Sequence, residues 1–286
     1  MQAVSLRYIK NRIRAVEGIK KLTHAIEMVS MSKSKAVENI LAGFKGFSAN
    51  VDSMLDHLLS SQESYSHPLL EKKPLITQKA LCLITSDTGL CGTYNNTIIR
   101  KAEEFIKQYG KENVRLITVG KKGFSYFSRK GVSATDVFLE LHGRYSKTTA
   151  GKILATLLNK FLSNDVGEVY IAYTKHISAT RRTPVVEKFL NIEPSFSTKK
   201  TELILEPNFD KILDKLLLEY LSGKIKIILL NAYAAEHSAR LIAMGEATTN
   251  AKELLESLIL QRNKLRQSTI TSQLLEIVSS AEAMKG

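Results

Sequence analysis

The sequence predicts an α/β protein in which a long antiparallel coiled coil of the N- and C-terminal helices carries a small, mostly parallel α/β domain. All five prolines of the 286 residues lie between Pro68 and Pro207, so both ends lack the strongest helix breaker. Apolar residues recur at helical spacing in both ends, whereas the middle alternates short apolar runs with helical stretches. We therefore expect two coiled-coil segments, residues 1–67 and 208–286, and an inserted domain at residues 68–207.

The N-terminal segment carries its larger aliphatic residues at steps of three or four, which is typical of a helix with one apolar face. These residues are Leu6, Ile9, Ile13, Val16, Ile19, Leu22, Ile26 and Val29. Such a face needs a partner, and the C-terminal segment offers one at similar spacing: Leu254, Leu255, Leu258, Leu265, Ile270, Leu274 and Ile277. Small residues between Ala232 and Ala251 let two helices approach closely. A bundle of shorter helices is the alternative, with bends at Gly43, Gly46 or Gly223.

The middle of the chain predicts an open, doubly wound, Rossmann-like sheet, because strands alternate with helices there. We expect strands at residues 80–85, 114–119 and 168–173, and later edge strands at 184–190 and 202–205. We expect helices at residues 95–109, 123–130 and 148–163.

Sheets of this kind often bind nucleotides, but the sequence lacks the phosphate-binding motifs. Gly151-Lys152 has Ser146 where a P-loop needs its first glycine, and the turn SDTGLCG at residues 86–92 is not GxGxxG. We interpret that turn as structural, with Asp87 in it and with Gly89 and Gly92 in backbone conformations that other residues avoid. Six scattered histidines and two cysteines form no hydrolytic or zinc motif, so we expect no catalytic residue, cofactor or metal.

Charge is distributed unevenly along the chain, whose formal net charge is +13. Residues 1–35 hold eight basic and two acidic residues, whereas residues 236–286 hold six of each. A basic N-terminal helix raises the alternative of a nucleic-acid-binding protein, but only Tyr8 stands near those charges as a stacking aromatic. A nucleotide-using α/β enzyme is a second alternative.

Three motif blocks resemble the gamma subunit of F-type ATP synthases, and the resemblance runs along the whole chain. They are residues 9–13, 20–29 and 32–33 of the first helix, the turn at 86–92 with Asn95, and residues 237–244, 247–251, 263–271 and 276–278 of the last helix. The departures are few, among them Thr93 where glycine is common and Ser280 where glycine is expected.

The resemblance implies a rotor without an active site of its own, whose coiled coil turns inside a ring of α and β subunits. It implies that the inserted domain sits beside the epsilon subunit and the membrane c-ring. Arg266, Gln267 and Thr271 match the segment that contacts a β subunit, Lys33 matches a stretch facing acidic β loops, and Glu206 matches the foot on the c-ring.

The remaining expectations concern location and partners. The first twenty residues hold five basic residues and no apolar run behind them, so no secretory signal is predicted. The sequence shows neither the cysteine-bearing regulatory insertion of the chloroplast form nor a mitochondrial transit peptide, so we expect a bacterial protein. For such a protein the resemblance implies a peripheral place on the cytoplasmic face of the plasma membrane, held only through the complex. Nucleic acid is not expected as a partner.

Overall fold

The computed structural model describes residues 6–61, 66–192, 206 and 208–284. The chain divides into two compact units, one comprising Met1–Val29 with Leu241–Gly286 and the other Ser30–Arg240. We call the described parts of these the coil unit and the sheet unit. Both units draw on the same two helices, α1 (Leu6–Ser60, 55 residues) and α5 (Phe209–Ala283, 75 residues). The division at residues 67 and 207 stays a prediction.

In the coil unit the two helices pack as an antiparallel pair. Apolar residues from both helices form one buried cluster, consisting of Ile9, Ile13, Val16, Ala251, Leu255 and Leu258. Further along, Thr248 Oγ1 donates to Thr23 Oγ1 at 2.9 Å, and the Gly245 backbone faces the carboxylate of Glu27. Because α5 numbers rise while α1 numbers fall, the pair is antiparallel, which confirms the predicted coiled coil.

The buried face of α1 differs from the predicted stripe after Val16. Ile19, Leu22 and Val29 are 53%, 60% and 54% exposed, whereas Thr23 is 8% exposed. The buried positions 9, 13, 16 and 23 fit the alternating steps of a heptad seam. Ile19, Leu22 and Val29 each stand one residue before a seam position, which turns them by roughly 100° around the helix. The predicted continuous apolar stripe is therefore wrong beyond Val16.

The predicted partner positions on α5 divide in the same way. Leu255 and Leu258 are buried and Leu265 packs partly against them. Leu254 is 40% exposed, and Ile270, Leu274 and Ile277 are 49–65% exposed. Only the first part of the predicted C-terminal face therefore pairs with α1.

The sheet unit contains a five-stranded sheet in the order β3-β2-β1-β4-β5. Its strands are β1 Lys79–Ile84, β2 Val114–Val119, β3 Ala134–Phe138, β4 Glu168–His176 and β5 Arg182–Leu190. The first four run parallel, and β5 pairs antiparallel with β4. Its helices are α2 Tyr94–Tyr109, α3 Lys121–Arg129 and α4 Lys147–Leu162, with a short 3-10 turn at Lys111–Asn113.

The predicted mostly parallel sheet is confirmed, with one strand missed. β3 has no continuous apolar run, since its residues alternate between exposed and half-buried at the sheet edge. The predicted strand at 202–205 lies outside the described residues.

Alternate residues of the strands supply the two cores of the sheet unit, as the period of two requires. Leu81 and Leu83 point into the layer formed with α2 and α3. Cys82 and Ile84 point into the layer formed with α4 and with the parts of α1 and α5 that belong to this unit. The sheet is thus covered on both faces, and its strand ends are left to form sites.

Candidate functional site

The turn at residues 86–92 lies at the carboxyl end of β1 and is held by side-chain hydrogen bonds. Ser86 donates its main-chain N–H to Asn95 Oδ1 at 3.0 Å, and Asn95 Nδ2 returns a bond to Ser86 Oγ at 2.8 Å. Asn95 also donates to Cys91 Sγ at 3.2 Å. Asn95 belongs to the first turn of α2, so the pairing fixes where the loop becomes helix.

Asp87 organises the neighbouring loops by accepting three main-chain hydrogen bonds. Its carboxylate accepts from the N–H of Lys121 at 3.0 Å, of Glu140 at 3.3 Å and of His142 at 2.8 Å. Lys121 is the first residue of α3, where unpaired N–H groups favour an anionic acceptor. One side chain thereby ties the ends of β1 and β3 to the start of α3.

The glycines of the turn differ from the prediction in one respect. Gly92 has a φ of 56°, as expected, but the other left-handed residue of the turn is Leu90, with a φ of 61°, and not Gly89. The expected conformation at Gly89 is therefore wrong. The left-handed residue is Leu90 instead, whose side chain is 61% exposed, so the turn holds local backbone strain at a leucine.

A buried ion pair on helix α5 contacts this turn. Arg240 donates to the Gly89 carbonyl at 3.2 Å, to Thr88 Oγ1 at 2.9 Å and to Glu236 Oε1 at 2.9 Å. Glu236 is 2% exposed, and its burial raises the pKa of that carboxyl while the Arg240 guanidinium opposes the rise. Removing one member of such a buried pair typically costs about 3–5 kcal/mol, since the other charge is left without a partner.

His237 lies beside the pair and is held in one tautomer. Its Nε2 donates to the Gly143 carbonyl at 2.9 Å, and its Nδ1 faces Arg240 Nη1 at 3.4 Å. Burial lowers the pKa of His237 to about 4, the Gly143 carbonyl opposes this, and the charges of Arg240 and Lys33 add to it. The imidazole is therefore neutral at neutral pH, with both nitrogens engaged.

These contacts occupy the place where an open α/β sheet usually binds its ligand. Such ligands bind outside the carboxyl ends of the strands, where the strand order reverses. Here the chain leaves β1 for β2 on one side and places β4 on the other. The crevice outside β1 is filled by the side chains of Glu236, His237 and Arg240. The site therefore joins α5 to the sheet.

Sequence reasoning missed Glu236 and Arg240 as members of this site. The available signal was a pair of opposite charges four residues apart within an alanine-rich stretch, since Ala232, Ala234, Ala235 and Ala239 are all buried. Charges on such a face of a helix have to be paired or buried against polar groups.

The predicted contact residues lie in separate places. In the sheet unit, Lys33 is half-buried on α1, near enough to Glu236 for its charge to lower the pKa of that carboxyl. In the coil unit, Arg266, Gln267 and Thr271 are exposed on α5, and Thr271 Oγ1 donates to the Gln267 carbonyl at 3.0 Å. Glu206 is exposed and borders a cavity of about 500 Å³ in the sheet unit, together with Lys211, Asp214 and Glu219.

The end of α5 is the most exposed part of the coil unit. Every residue from 266 to 284 is exposed, including six large apolar side chains: Ile270, Leu274, Leu275, Ile277, Val278 and Met284. No described residue of the coil unit covers them. None of the described helices is both long enough and apolar enough to cross a membrane.

The fold is a pair of long helices attached to an α/β sheet whose crevice is filled by side chains of the last helix. The family model described as ATP synthase matches residues 5–284. The ATP synthase gamma chain of Protochlamydia amoebophila is 34% identical over 98% of this chain and 99% of its own length. That of Desulfitobacterium hafniense is 36% identical over 98% and 99%. The chain belongs to the ATP synthase gamma chain family.

Solved structures agree on the fold. A chain of the mitochondrial ATP synthase of Euglena gracilis aligns with a TM-score of 0.70 at 16% identity, covering 98% of this chain and 94% of that one. A chain of the central stalk and c-ring structure from Tetrahymena thermophila aligns with a TM-score of 0.61 at 22% identity, covering 79% and 99%. The protein is a non-catalytic subunit of an ATP synthase, as predicted.

Proposed function

We propose that this chain is the rotor of a bacterial F-type ATP synthase, turning with the c-ring and driving the catalytic sites of the α and β subunits. Residues 1–67 and 208–286 form its coiled coil, and residues 68–207 form the domain beside the epsilon subunit and the c-ring. The observation that carries the proposal is the exposed end of α5. Residues 266–284 expose six large apolar side chains, more than is usual for a helix end that faces water. Their exposure indicates that a partner protein surrounds this end of α5.

The low number of charges on this end of α5 is compatible with an enclosing protein surface. Residues 266–284 hold only Arg266, Glu276 and Glu282 as charged residues. An unpaired charge turning within an apolar sleeve would cost several kcal/mol. A sparsely charged end can therefore rotate inside the ring of α and β subunits, while Arg266 at its base supplies a contact that varies with angle.

Rotation is coupled to catalysis because the coiled coil is asymmetric. Its two helices differ, and it turns inside a ring that carries three otherwise equivalent catalytic sites. At each angle the sites meet different side chains, and a site shifts only by its differential contact energy with the coiled coil. We assign Arg266, Gln267 and Thr271 to the contact with a β subunit and Lys33 to acidic β loops. We assign Glu206 to the contact with the c-ring.

The test is ATP hydrolysis by the cognate α and β subunits with and without this chain. We expect stimulated, steady turnover that falls when Arg266 and Gln267 are both replaced by alanine. The matched control is the pair Gln261→Ala and Lys264→Ala, which removes one glutamine and one cation from exposed positions of the same helix. Equal loss in both pairs, or no stimulation by the unaltered chain, would contradict the assignment.

Glu206 and the membrane face need a second experiment on the whole synthase in everted vesicles. Glu206→Lys is expected to lower the number of coupling ions, protons or sodium ions, pumped per ATP hydrolysed, whereas Glu219→Lys, which borders the same cavity, leaves the ratio unchanged. Protease added outside everted vesicles should digest this chain, because their outer surface is the cytoplasmic face. Protection from the protease would contradict that location.

A further inference from the structure

A cavity of about 530 Å³ opens at the amino ends of the parallel strands β1 and β4, whereas the turn at residues 86–92 lies at their carboxyl ends. Lys79 and Glu168, the first residues of β1 and β4, border it, as does Lys188 near the end of the antiparallel β5. Lys72 and Lys73, from the segment leading into β1, complete the charged part of the lining. This volume falls within the range of about 300–1,000 Å³ that is usual for small-ligand sites.

The lining carries four ammonium groups and one carboxylate, so three positive charges are left uncompensated. Glu168 accepts from Lys79 and, at 2.9 Å, from Lys188. Burial raises the pKa of Glu168, but the hydrogen bonds from Lys79 and Lys188 outweigh it and lower that pKa to about 2. The carboxylate is thus ionised at neutral pH and holds two of the lysines in place.

Among the described residues, Lys73 donates only to neutral acceptors. Its Nζ lies 2.5 Å from the Phe161 carbonyl and 2.6 Å from Asn164 Oδ1. Glu71, the nearby carboxylate, raises the pKa of Lys73 electrostatically, but burial outweighs it and lowers that pKa. Lys72 is exposed and makes no hydrogen bond or ion pair among the described residues. Both ammonium groups can accept an anion without breaking an existing ion pair.

The neutral residues of the lining limit the chemical classes of ligand that fit this cavity. Thr77 adds a hydroxyl, and Asn113 and Asn191 add amides whose Nδ2 groups also donate to the carbonyls of Tyr109 and Leu70. An amide nitrogen carries two N–H groups, so one remains for an anionic oxygen. The Tyr109 ring is covered by Lys79, whose Nζ is 4.7 Å from the ring centroid. An aromatic base therefore cannot stack on that face, and the lining suits a compact polyanion.

The sign of the lining charge differs between this cavity and the one beside Glu206. The cavity beside Glu206 carries Glu206, Asp214 and Glu219 against Lys211 and Lys215, a net negative lining on the same sheet unit. A concave surface lined by one sign of charge concentrates ions of the opposite sign. We propose that the cavity between Lys72, Lys73, Lys79 and Lys188 binds a phosphate-bearing anion with two or more negative charges.

The test is isothermal titration calorimetry, which measures the heat and affinity of pyrophosphate binding to the full chain at low salt. Lys72→Gln with Lys73→Gln should weaken binding by at least about tenfold, since two charge-assisted contacts are lost. The matched control is Lys107→Gln with Lys152→Gln, two exposed lysines of α2 and α4 that lie outside the cavity. The control removes the same net charge and should change the affinity by less than about twofold.

A third variant changes the sign of the effect. Glu168→Gln frees Lys79 and Lys188 for the ligand, so pyrophosphate should bind more tightly than to the unaltered chain, with the melting temperature recorded alongside. Weaker binding by a folded Glu168→Gln chain, or equal weakening in the two lysine pairs, would overturn the proposal.

Vesicles distinguish a soluble phosphate from a lipid headgroup. Binding to vesicles with cardiolipin, whose headgroup carries two phosphates, but not to phosphatidylcholine vesicles, dependent on Lys72 and Lys73 and without heat from pyrophosphate, assigns a headgroup. Heat from pyrophosphate with the same dependence assigns a soluble phosphate. Absence of both at millimolar pyrophosphate overturns the site, whereas the rotor function is tested separately by stimulated ATP hydrolysis.

Discussion

Gly143 and His237 meet in the sheet unit more closely than any side chain on Gly143 would allow. A Cβ on Gly143 would lie 2.7 Å from His237 Nε2, and the residue has a φ of 64°. Both the space and the backbone conformation therefore require glycine here. The loop that carries Gly143 also supplies His142, whose N–H binds Asp87. A single glycine thus lets this loop lie between α5 and the turn at residues 86–92.

We expect Gly143→Ala to lower the free energy of unfolding by about 2–4 kcal/mol, from left-handed strain plus the clash with the imidazole. Gly131→Ala is the matched control, since Gly131 has a φ of 67° with nothing within 4 Å of an added Cβ. It should lose only about 1–2 kcal/mol, from the backbone alone. Urea unfolding followed by circular dichroism measures both, and equal losses would show that the imidazole moves aside freely.

Protonation of His237 should make stability depend on pH. Its pKa is about 4 in the folded chain, against an ordinary value of 6.5. Between these values the unfolded chain binds a proton that the folded chain does not. The free energy of unfolding therefore falls as the pH drops from 6.5 toward 4 and is unaffected by this group above 6.5.

The loss at pH 5 relative to pH 7.5 should be about 2 kcal/mol larger in the unaltered chain than in His237→Gln, whose amide still donates to the Gly143 carbonyl. Burial lowers the pKa of His176 as well, but that residue is present in both proteins and cancels. Urea unfolding at the two pH values gives the comparison. Identical pH dependence in the two chains would mean that folding leaves the pKa of His237 unchanged.

At the scale of elements, the two long helices pair through a narrow seam. In the coil unit this seam passes from Ile9, Ile13 and Val16 to Thr23, where a threonine pair replaces aliphatic contact. In the sheet unit Ser30 and Ser34 of α1 are both buried, and Ser34 Oγ lies 2.9 Å from Ser238 Oγ. Small polar residues allow close approach of the helices, but they bury less apolar area than leucine would.

Ile13 and Ile19 provide a matched pair for this seam. Ile13 is 7% exposed and Ile19 is 53% exposed on the same helix. We expect Ile13→Ala to cost about 2–4 kcal/mol and Ile19→Ala less than about 1 kcal/mol. Hydrogen exchange of the α1 amides in the coil unit measures the local effect. Similar costs would support the continuous stripe instead of the heptad seam.

For the whole molecule, the end of α5 should matter to the assembly and not to the isolated fold. Truncation after Gln267 removes residues 268–286, and all of these that the structure describes, 268–284, are exposed. Leu265 stays against the coil core. The melting temperature of the isolated chain should therefore change by less than about 2 °C. Under the proposed function, the same truncation should reduce stimulated ATP hydrolysis with the α and β subunits. A large drop in melting temperature would indicate that this end packs on the chain itself.

Local patterns were sufficient for most of the fold. The helices α2 and α4 and the strands β1, β2 and β4 lie within a few residues of their predicted bounds, since each is a buried periodic segment. Strand β3 was not predicted, because an edge strand that is half exposed to solvent has no apolar run. Among the functional residues, the motif letters indicated the turn at residues 86–92, but the ion pair that closes the crevice was not predicted.

The sequence by itself determined the two long helices, the alternation of strands and helices between them, and the gamma chain family. These depend on proline placement, local periodicity and motif letters, all of which are short-range properties. Only the tertiary structure decided that Thr23 and not Leu22 enters the seam, that Arg240 reaches Gly89 from 151 residues away, and that four lysines border one cavity. Those outcomes depend on which distant residues share one small volume, and no local pattern specifies that.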